Sequence, residues 1–254
     1  MNKGHWKWQS DSRARSVVVT GGSDGIGLAT ARHFAAEGAH VYVTARRQEP
    51  LDAAVKEIGN GVVGVRGDVA NLADLDRLYE RIRRDHGRVD VVFANAGISE
   101  SLALDAIDEA HFDRVFGVNV KGLVFTVQKA LPLMTRGGAV ILPGSVAGSK
   151  GIPGLSIYSA TKAAIRSLAR TWTADLKDRG IRVNVVAPGF ILTPGMQRYL
   201  QDNAGANAAL TQMTPLARLG GTEEVAKAVL FLASDESSFV AGGELFVDGG
   251  VTAV

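Results

Sequence analysis

The chain of 254 residues is long enough for one large α/β domain or two small ones, and its 21% charged and 46% apolar residues are ordinary for a globular protein. The absence of cysteine excludes disulfides, thiol catalysis and thiolate metal sites, and no apolar run approaches the roughly 20 residues that span a bilayer. The net charge of +2 hides an asymmetry: Lys3, Lys7, Arg13 and Arg15 against Asp11 give residues 1–16 a charge of +3 and leave −1 for the rest, which argues against a nucleic-acid-binding face.

Residues 1–15 form a polar, basic leader without the apolar core of a secretory signal. It reads as a loosely ordered tail, with Trp6 and Trp8 beside Lys7 as a candidate docking patch. Cytoplasmic is the default expectation. The five histidines, at 5, 33, 40, 86 and 111, lack ligand spacing, so no metal site is expected.

Ser16-Val-Val-Val-Thr20 predicts a short buried strand. The turn Gly21-Gly-Ser23-Asp24-Gly25-Ile26-Gly27 follows, then an amphipathic helix through Leu28, Ala31, Phe34 and Ala35 that stops at Gly38. A glycine turn between a buried strand and a helix start suits phosphate, because the backbone approaches closely and the helix N-terminus offers free N–H groups. Its spacing, Gly-x-x-x-Gly-x-Gly, differs from the commoner Gly-x-Gly-x-x-Gly. His40–Thr44 is the second strand and runs into Ala45-Arg46-Arg47. An acid about 20 residues past the glycines would grip the ribose hydroxyls, whereas arginine there suits a 2′-phosphate. Two arginines and no acid favour NADP(H) over NAD(H).

Val62–Arg66 predicts strand three, ending at Gly67-Asp68-Val69, where Asp68 either caps the next helix or faces an adenine amino group. A helix over Leu72–Arg84 leads to strand four, Val89–Phe93, and to Ala94-Asn95-Ala96-Gly97. Small residues at a strand's carboxyl end let a ligand lie against the backbone. A long helix is expected from the spacing of Phe112, Val115, Phe116, Leu123 and Val127. Asn119 inside it is either a hydrogen-bonded bystander or a local opening that holds a water.

Strand five is expected at Gly138–Leu142, followed by a turn carrying Ser145 and a helix from about Tyr158 to Lys177. Tyr158 and Lys162 are four residues apart, so on a helix they share a face. A free phenol titrates near ~10, and a cation beside it favours the phenolate. A tunable phenol, a cation and a neutral hydroxyl are what reversible carbonyl reduction requires. Ile181–Ala187 predicts strand six, closed by Pro188-Gly189. Residues 190–221 lose clear periodicity and read as an irregular lid or binding loop over about 189–221. Thr222-Glu-Glu-Val opens a last helix with a capping-box pattern, and Glu244–Val247 gives a closing strand. Strand and helix alternate throughout, which predicts a single doubly wound parallel sheet of about seven strands over residues 16–254.

With these pieces in order, the chain resembles the short-chain dehydrogenase/reductase family over roughly residues 16–250. The resemblance rests on Thr20–Gly27, Asp68, Asn95-Ala-Gly97, Asn119, Ser145, Tyr158-Ser-Ala-Thr-Lys162 and Pro188-Gly189. It implies a tetrad of Asn119, Ser145, Tyr158 and Lys162. In that scheme Tyr158 exchanges the proton, Lys162 binds the nicotinamide ribose and lowers the phenol pKa, Ser145 holds the substrate oxygen, and Asn119 supports a water. It also implies that the turn Gly21–Gly27 takes the pyrophosphate, Asp68 and Val69 the adenine, and Asn95, Ala96 and Gly97 the ribose side. Pro188, Gly189, Ile191 and Thr193 would then meet the nicotinamide. Leu142-Pro143-Gly144 departs from the Asn or Ser common before the serine, which bears on the substrate pocket more than on mechanism.

The expectation is an NADPH-dependent ketone reductase, reversible as an alcohol dehydrogenase, acting on a small-molecule ketone or alcohol with neither nucleic acid nor membrane as partner. A 3-oxoacyl-[acyl-carrier-protein] reductase is the nearest alternative, and a non-catalytic dinucleotide-binding regulator the alternative from another class. The resemblance further implies a homo-oligomer, a tetramer packed through helices around 108–135 and 157–179.

Overall fold

The computed structural model describes residues 15–254, so the proposed tail and its tryptophan patch lie outside the described residues, apart from Arg15. Arg15 already belongs to the body: its carbonyl accepts from the His40 amide at 2.8 Å and its guanidinium pairs with Asp235 at 3.0 Å.

Among the described residues, strands β1 (Ser16–Thr20), β2 (His40–Ala45), β3 (Val63–Arg66), β4 (Val89–Phe93), β5 (Met134–Pro143), β6 (Arg182–Pro188) and β7 (Glu244–Val247) form one parallel sheet. Its order is β3-β2-β1-β4-β5-β6-β7, a Rossmann arrangement whose order reverses between β1 and β4. Alternating side chains feed two cores. On one face Val18, Tyr42, Val92 and Val140 pack on α3 (Leu72–Asp85), α5 (Leu123–Ala130) and α6 (Ser156–Asp175). On the other, Val17, Val19, Val43, Phe93 and Ile141 pack on α1 (Gly25–Ala36), α2 (Gln48–Ile58) and α9 (Thr222–Ala233). Each fully buried Leu, Ile or Phe contributes about 1.5–3 kcal/mol, so the two apolar faces dominate the stability of the sheet. Among the described residues no helix is long and apolar enough to cross a membrane.

Three local readings need correction. The long helix after β4 is continuous, but not α-helical throughout: α4 (Glu109–Phe116) passes into a π-helical segment, Gly117–Gly122, the local opening at Asn119, before α5. An apolar stripe does not record whether a turn closes i→i+4 or i→i+5, so the widened turn around Asn119 leaves no trace in it. The segment after Gly189 is not irregular but holds two short helices, α7 (Pro194–Asp202) and α8 (Ala206–Gln212). Neither buries a residue, so neither needs an apolar stripe. The start of α9 is capped from Gly221 instead of Thr222, and only the Glu224 half of the box forms, its carboxylate accepting the Gly221 amide at 2.8 Å.

Candidate active site

The carboxyl ends of β1 and β4 meet at the point where strand order reverses, the usual ligand crevice of such sheets. The Gly21–Gly27 turn lies there. Gly21 has φ +65°, and a Cβ at Gly27 would run into the Gly21 carbonyl oxygen. Asp24 is the N-cap of α1, exposed, and makes no side-chain cap. The first-turn N–H groups therefore remain free for an anion, with Ser23 and Ile26 flanking them. A dinucleotide pyrophosphate fits this uncapped, side-chain-free cradle.

Asn95 supports the cradle from β4. Its Nδ2 donates to the carbonyls of Thr20 (3.0 Å) and Gly21 (3.2 Å), while the Ala96 amide donates to Thr20 Oγ1 at 3.0 Å. The Asn95 side chain is thus committed to the turn, and Ala96 and Gly97 offer backbone to the crevice. Thr193 arrives from the far side. Its hydroxyl caps α7 by accepting from the Met196 amide at 3.2 Å, and its methyl would lie 3.3 Å from a Cβ placed at Gly25. Pro188 and Gly189 end β6, with Gly189 tight against Asp248, but Ile191 turns into the core, 5% exposed.

At the ends of β2 and β3, Asp68 Oδ1 accepts the Ala70 amide at 2.9 Å, so one carboxylate oxygen caps the turn and the other is spare. Val69 is buried, with its side chain and carbonyl against Gly122 of the π segment. Arg46 and Arg47 are exposed and, among the described residues, neither is paired with a carboxylate. A third guanidinium joins them: Arg66 Nε donates to the Arg46 carbonyl at 3.3 Å. Arg66 was missed because only the β2–β3 register, in which Ala45 pairs with Arg66, brings it there.

The tetrad residues converge at the ends of β5 and α6. Ser145 opens a single 3-10 turn, Val146–Gly148, and accepts the Ala147 amide at 3.2 Å. Its hydroxyl lies beside the Tyr158 phenol, near enough to favour the phenolate. Lys162, 6% exposed, holds its ammonium 5.3 Å from the centroid of the Tyr158 ring and donates to the Pro143 carbonyl at 2.8 Å. Burial pushes the Tyr158 phenol above its ordinary value, with the Ser145 hydroxyl opposing. Burial alone lowers Lys162 to about 8. The cation expected to depress the phenol thus lies over the ring face, and its hydrogen bond goes to Pro143. At neutral pH the arrangement presents a protonated phenol and a protonated amine, which suits proton donation to a carbonyl oxygen.

Asn119 lies in the π segment. Its Oδ1 accepts the Ile98 amide at 2.8 Å, and its Nδ2 donates to the Ile98 carbonyl (2.9 Å) and to Thr161 Oγ1 (3.2 Å). Thr161 Oγ1 in turn donates to the Tyr158 carbonyl at 2.6 Å, which links Asn119 to the helix turn carrying the phenol. Thr161 is fully buried, and its role in this chain of bonds carried no signal in the sequence beyond its i+3 position from Tyr158.

A family profile described as Enoyl-(Acyl carrier protein) reductase matches residues 21–252. Among curated proteins, oxidoreductase asL5 of Sarocladium schorii is 47% identical over 94% of this chain and 96% of its own length. The 3-oxoacyl-[acyl-carrier-protein] reductase FabG of Thermotoga maritima is 42% identical over 92% of this chain and 96% of its own. A solved structure described as a short chain dehydrogenase/reductase family protein aligns with a TM-score of 0.85 at 42% identity, covering 94% of this chain and 98% of that one.

Proposed function

The chain belongs to the short-chain dehydrogenase/reductase family, and from that premise we propose that it is an NADPH-dependent carbonyl reductase, reversible as an alcohol dehydrogenase. As an oxidoreductase of this family it binds a nicotinamide dinucleotide, which when bound supplies the hydride. The protein's own task is to hold the substrate and to manage one proton. Tyr158 gives that proton to the substrate oxygen in reduction and recovers it in oxidation. Ser145 holds the same oxygen through its hydroxyl. Lys162 binds the ribose and keeps positive charge beside the phenol, and Asn119 supports a water on the path from Lys162 to solvent. What supports this reading most directly is the Ser145 hydroxyl beside the Tyr158 phenol with a buried ammonium over the phenol ring, at the rim where the strands end.

For the cofactor, the Gly21–Gly27 turn with Ser23, Asp24 and Ile26 takes the pyrophosphate, and the spare Asp68 oxygen with the Val69 backbone meets the adenine. Ala96 and Gly97 line the ribose, with Asn95 holding the turn. Pro188, Gly189 and Thr193 face the nicotinamide, where the Thr193 hydroxyl still has its hydrogen to donate; Ile191 supports them from the core. Arg46 and Arg47 face the 2′-phosphate, with Arg66 beside them. The substrate is a moderately hydrophobic ketone closed over by residues 189–221. The working species is a homotetramer. Support for that comes from the stacked pair Phe112–Phe116 on α4, centroids 4.5 Å apart, with Phe112 42% exposed.

The Tyr158→Phe variant tests the mechanism. It is expected to bind dinucleotide as the parent does while losing at least about 100-fold in turnover on a ketone panel, followed at the reduced-nicotinamide absorbance, because only the proton is removed. Unimpaired turnover would end the acid/base assignment. A second reading, reduction of a 3-oxoacyl thioester on an acyl carrier protein, is favoured by the identity to the Thermotoga maritima enzyme of that name. Rates on a free ketone against the carrier-bound thioester separate the two.

A further inference from the structure

We propose that Arg166 is a positioning residue that fixes the Ser145 hydroxyl against Tyr158 by clamping the serine turn to α6 and to the start of β7. The inference rests on the catalytic reading of Ser145 and Tyr158. Tyr158, Lys162 and Arg166 fall at i, i+4 and i+8 on α6, one stripe of the helix. From the end of that stripe, Arg166 Nη1 donates to Ser149 Oγ at 2.9 Å and lies 3.7 Å from Glu244 Oε2.

Ser149 closes the turn that Ser145 opens. The Gly148 amide donates to the Ser145 carbonyl at 2.9 Å, and the Ser149 amide to the Val146 carbonyl at 3.0 Å. Residues 145–149 are therefore one small unit, and holding one end sets the other. The unit also packs tightly on α6, since a Cβ at Gly148 would lie 3.2 Å from the Lys162 backbone. Glu244 bears on it from β7, with its side chain only 12% exposed and Oε1 3.2 Å from where a Cβ of Gly144 would lie. Burial pushes the Glu244 carboxyl up, and the Arg166 guanidinium opposes that. One guanidinium thus joins the helix carrying the phenol and amine to the turn carrying the hydroxyl and to the strand behind both. Without it, the turn keeps its own hydrogen bonds and its packing on α6 but loses the Arg166 tie at its Ser149 end. The Ser145 hydroxyl then moves relative to the phenol.

A simple ion pair would stabilise the fold without touching proton transfer, so the test measures the proton. Arg166→Ala is expected to lower kcat for ketone reduction about tenfold to 100-fold, the scale of a misplacement near 1 Å, with the KM for dinucleotide unchanged. Because the Ser145 hydroxyl lowers the phenol pKa, the rising limb of the pH profile for alcohol oxidation is expected to move to higher pH in Arg166→Ala, as in Ser145→Ala. Adding Arg166→Ala to Ser145→Ala is expected to cost nothing further, since the clamp acts through that hydroxyl. Ser149→Ala, which removes only the acceptor oxygen, is the second variant in case Arg166→Ala folds poorly, and it shifts the same limb in the same direction. Losses that multiply in the double variant, or an unmoved pH limb in either clamp variant, would overturn the proposal while leaving the tetrad intact. Full turnover in Ser145→Ala and Tyr158→Phe would remove the catalytic reading and the clamp with it.

Discussion

Burial drives the Lys162 ammonium down to about 8, whereas in the unfolded chain the same group keeps its ordinary value of 10.5. Between those two values the unfolded chain binds more protons, so stability rises as pH climbs from about 8 toward 10.5; below about 8 the full penalty for burying the charge is present. Lys162→Met is therefore expected to be more stable than the parent at pH 7, by about 1–2 kcal/mol after the lost Pro143 contact is allowed for. The advantage should shrink above pH 8 in urea denaturation, and ketone reduction should be lost. Equal stability at pH 7 would show that the buried charge is better solvated than its surroundings indicate. The same titration bounds activity, since reduction is expected to hold its rate up to about pH 8 and to fall as Lys162 loses its charge. At the other end of the crevice, Arg46→Asp places an acid where the proposed reading puts the 2′-phosphate of NADPH. The ratio of kcat/KM for NADPH over NADH is expected to fall at least about tenfold, the scale of one charged hydrogen bond. Arg66→Ala should move it less. An unchanged ratio in both would take these arginines out of cofactor choice.

The π-helical turn at Gly117–Gly122 is the element that makes the site three-dimensional. It widens the helix where Asn119 must reach both Ile98 and Thr161, and it sets Gly122 against Val69, so the far side of the crevice leans on the same turn. A Cβ at Gly122 would lie 2.7 Å from Val69 Cγ2. Gly122→Ala is accordingly expected to destabilise the protein by about 1–3 kcal/mol, the cost of overpacking, and to weaken dinucleotide binding, both read by urea denaturation with and without dinucleotide. A neutral substitution would mean that the turn yields freely. Legibility follows from what each element needs of its residues. Strands β1, β4 and β6 are buried on both faces and so appear in the sequence as short valine-rich stretches, interrupted by Asp90 in β4 and Asn184 in β6. Helices α7 and α8 are short and bury no residue, so they leave little signal among the glycines and prolines around them, and the π turn differs from its neighbours only in its hydrogen bonds. The spacing of Tyr158 and Lys162 on one helix face, with a serine in the turn before it, was legible as chemistry, whereas Asn119 joined them only through the family resemblance. Thr161 and Arg166 were not legible, because their importance lies in partners distant along the chain.

At the level of the whole molecule, the alternation of strands and helices was readable from hydrophobic pattern, but the order of the strands was not, since periodicity says nothing about which neighbour a strand takes. That order gives the protein its chemistry. It brings the turn after β1 beside the residues after β4 and leaves a rim at the carboxyl ends on which the β5 turn and the head of α6 face the crevice. The clasp from Asn95 onto the carbonyls of Thr20 and Gly21 spans about three-quarters of a hundred positions of chain. During synthesis, then, the first strand, turn and helix emerge well before their brace exists. The nascent N-terminal portion carries the glycine turn without its brace, so on the proposed reading cofactor capture waits until the fourth strand has left the ribosome and inserted.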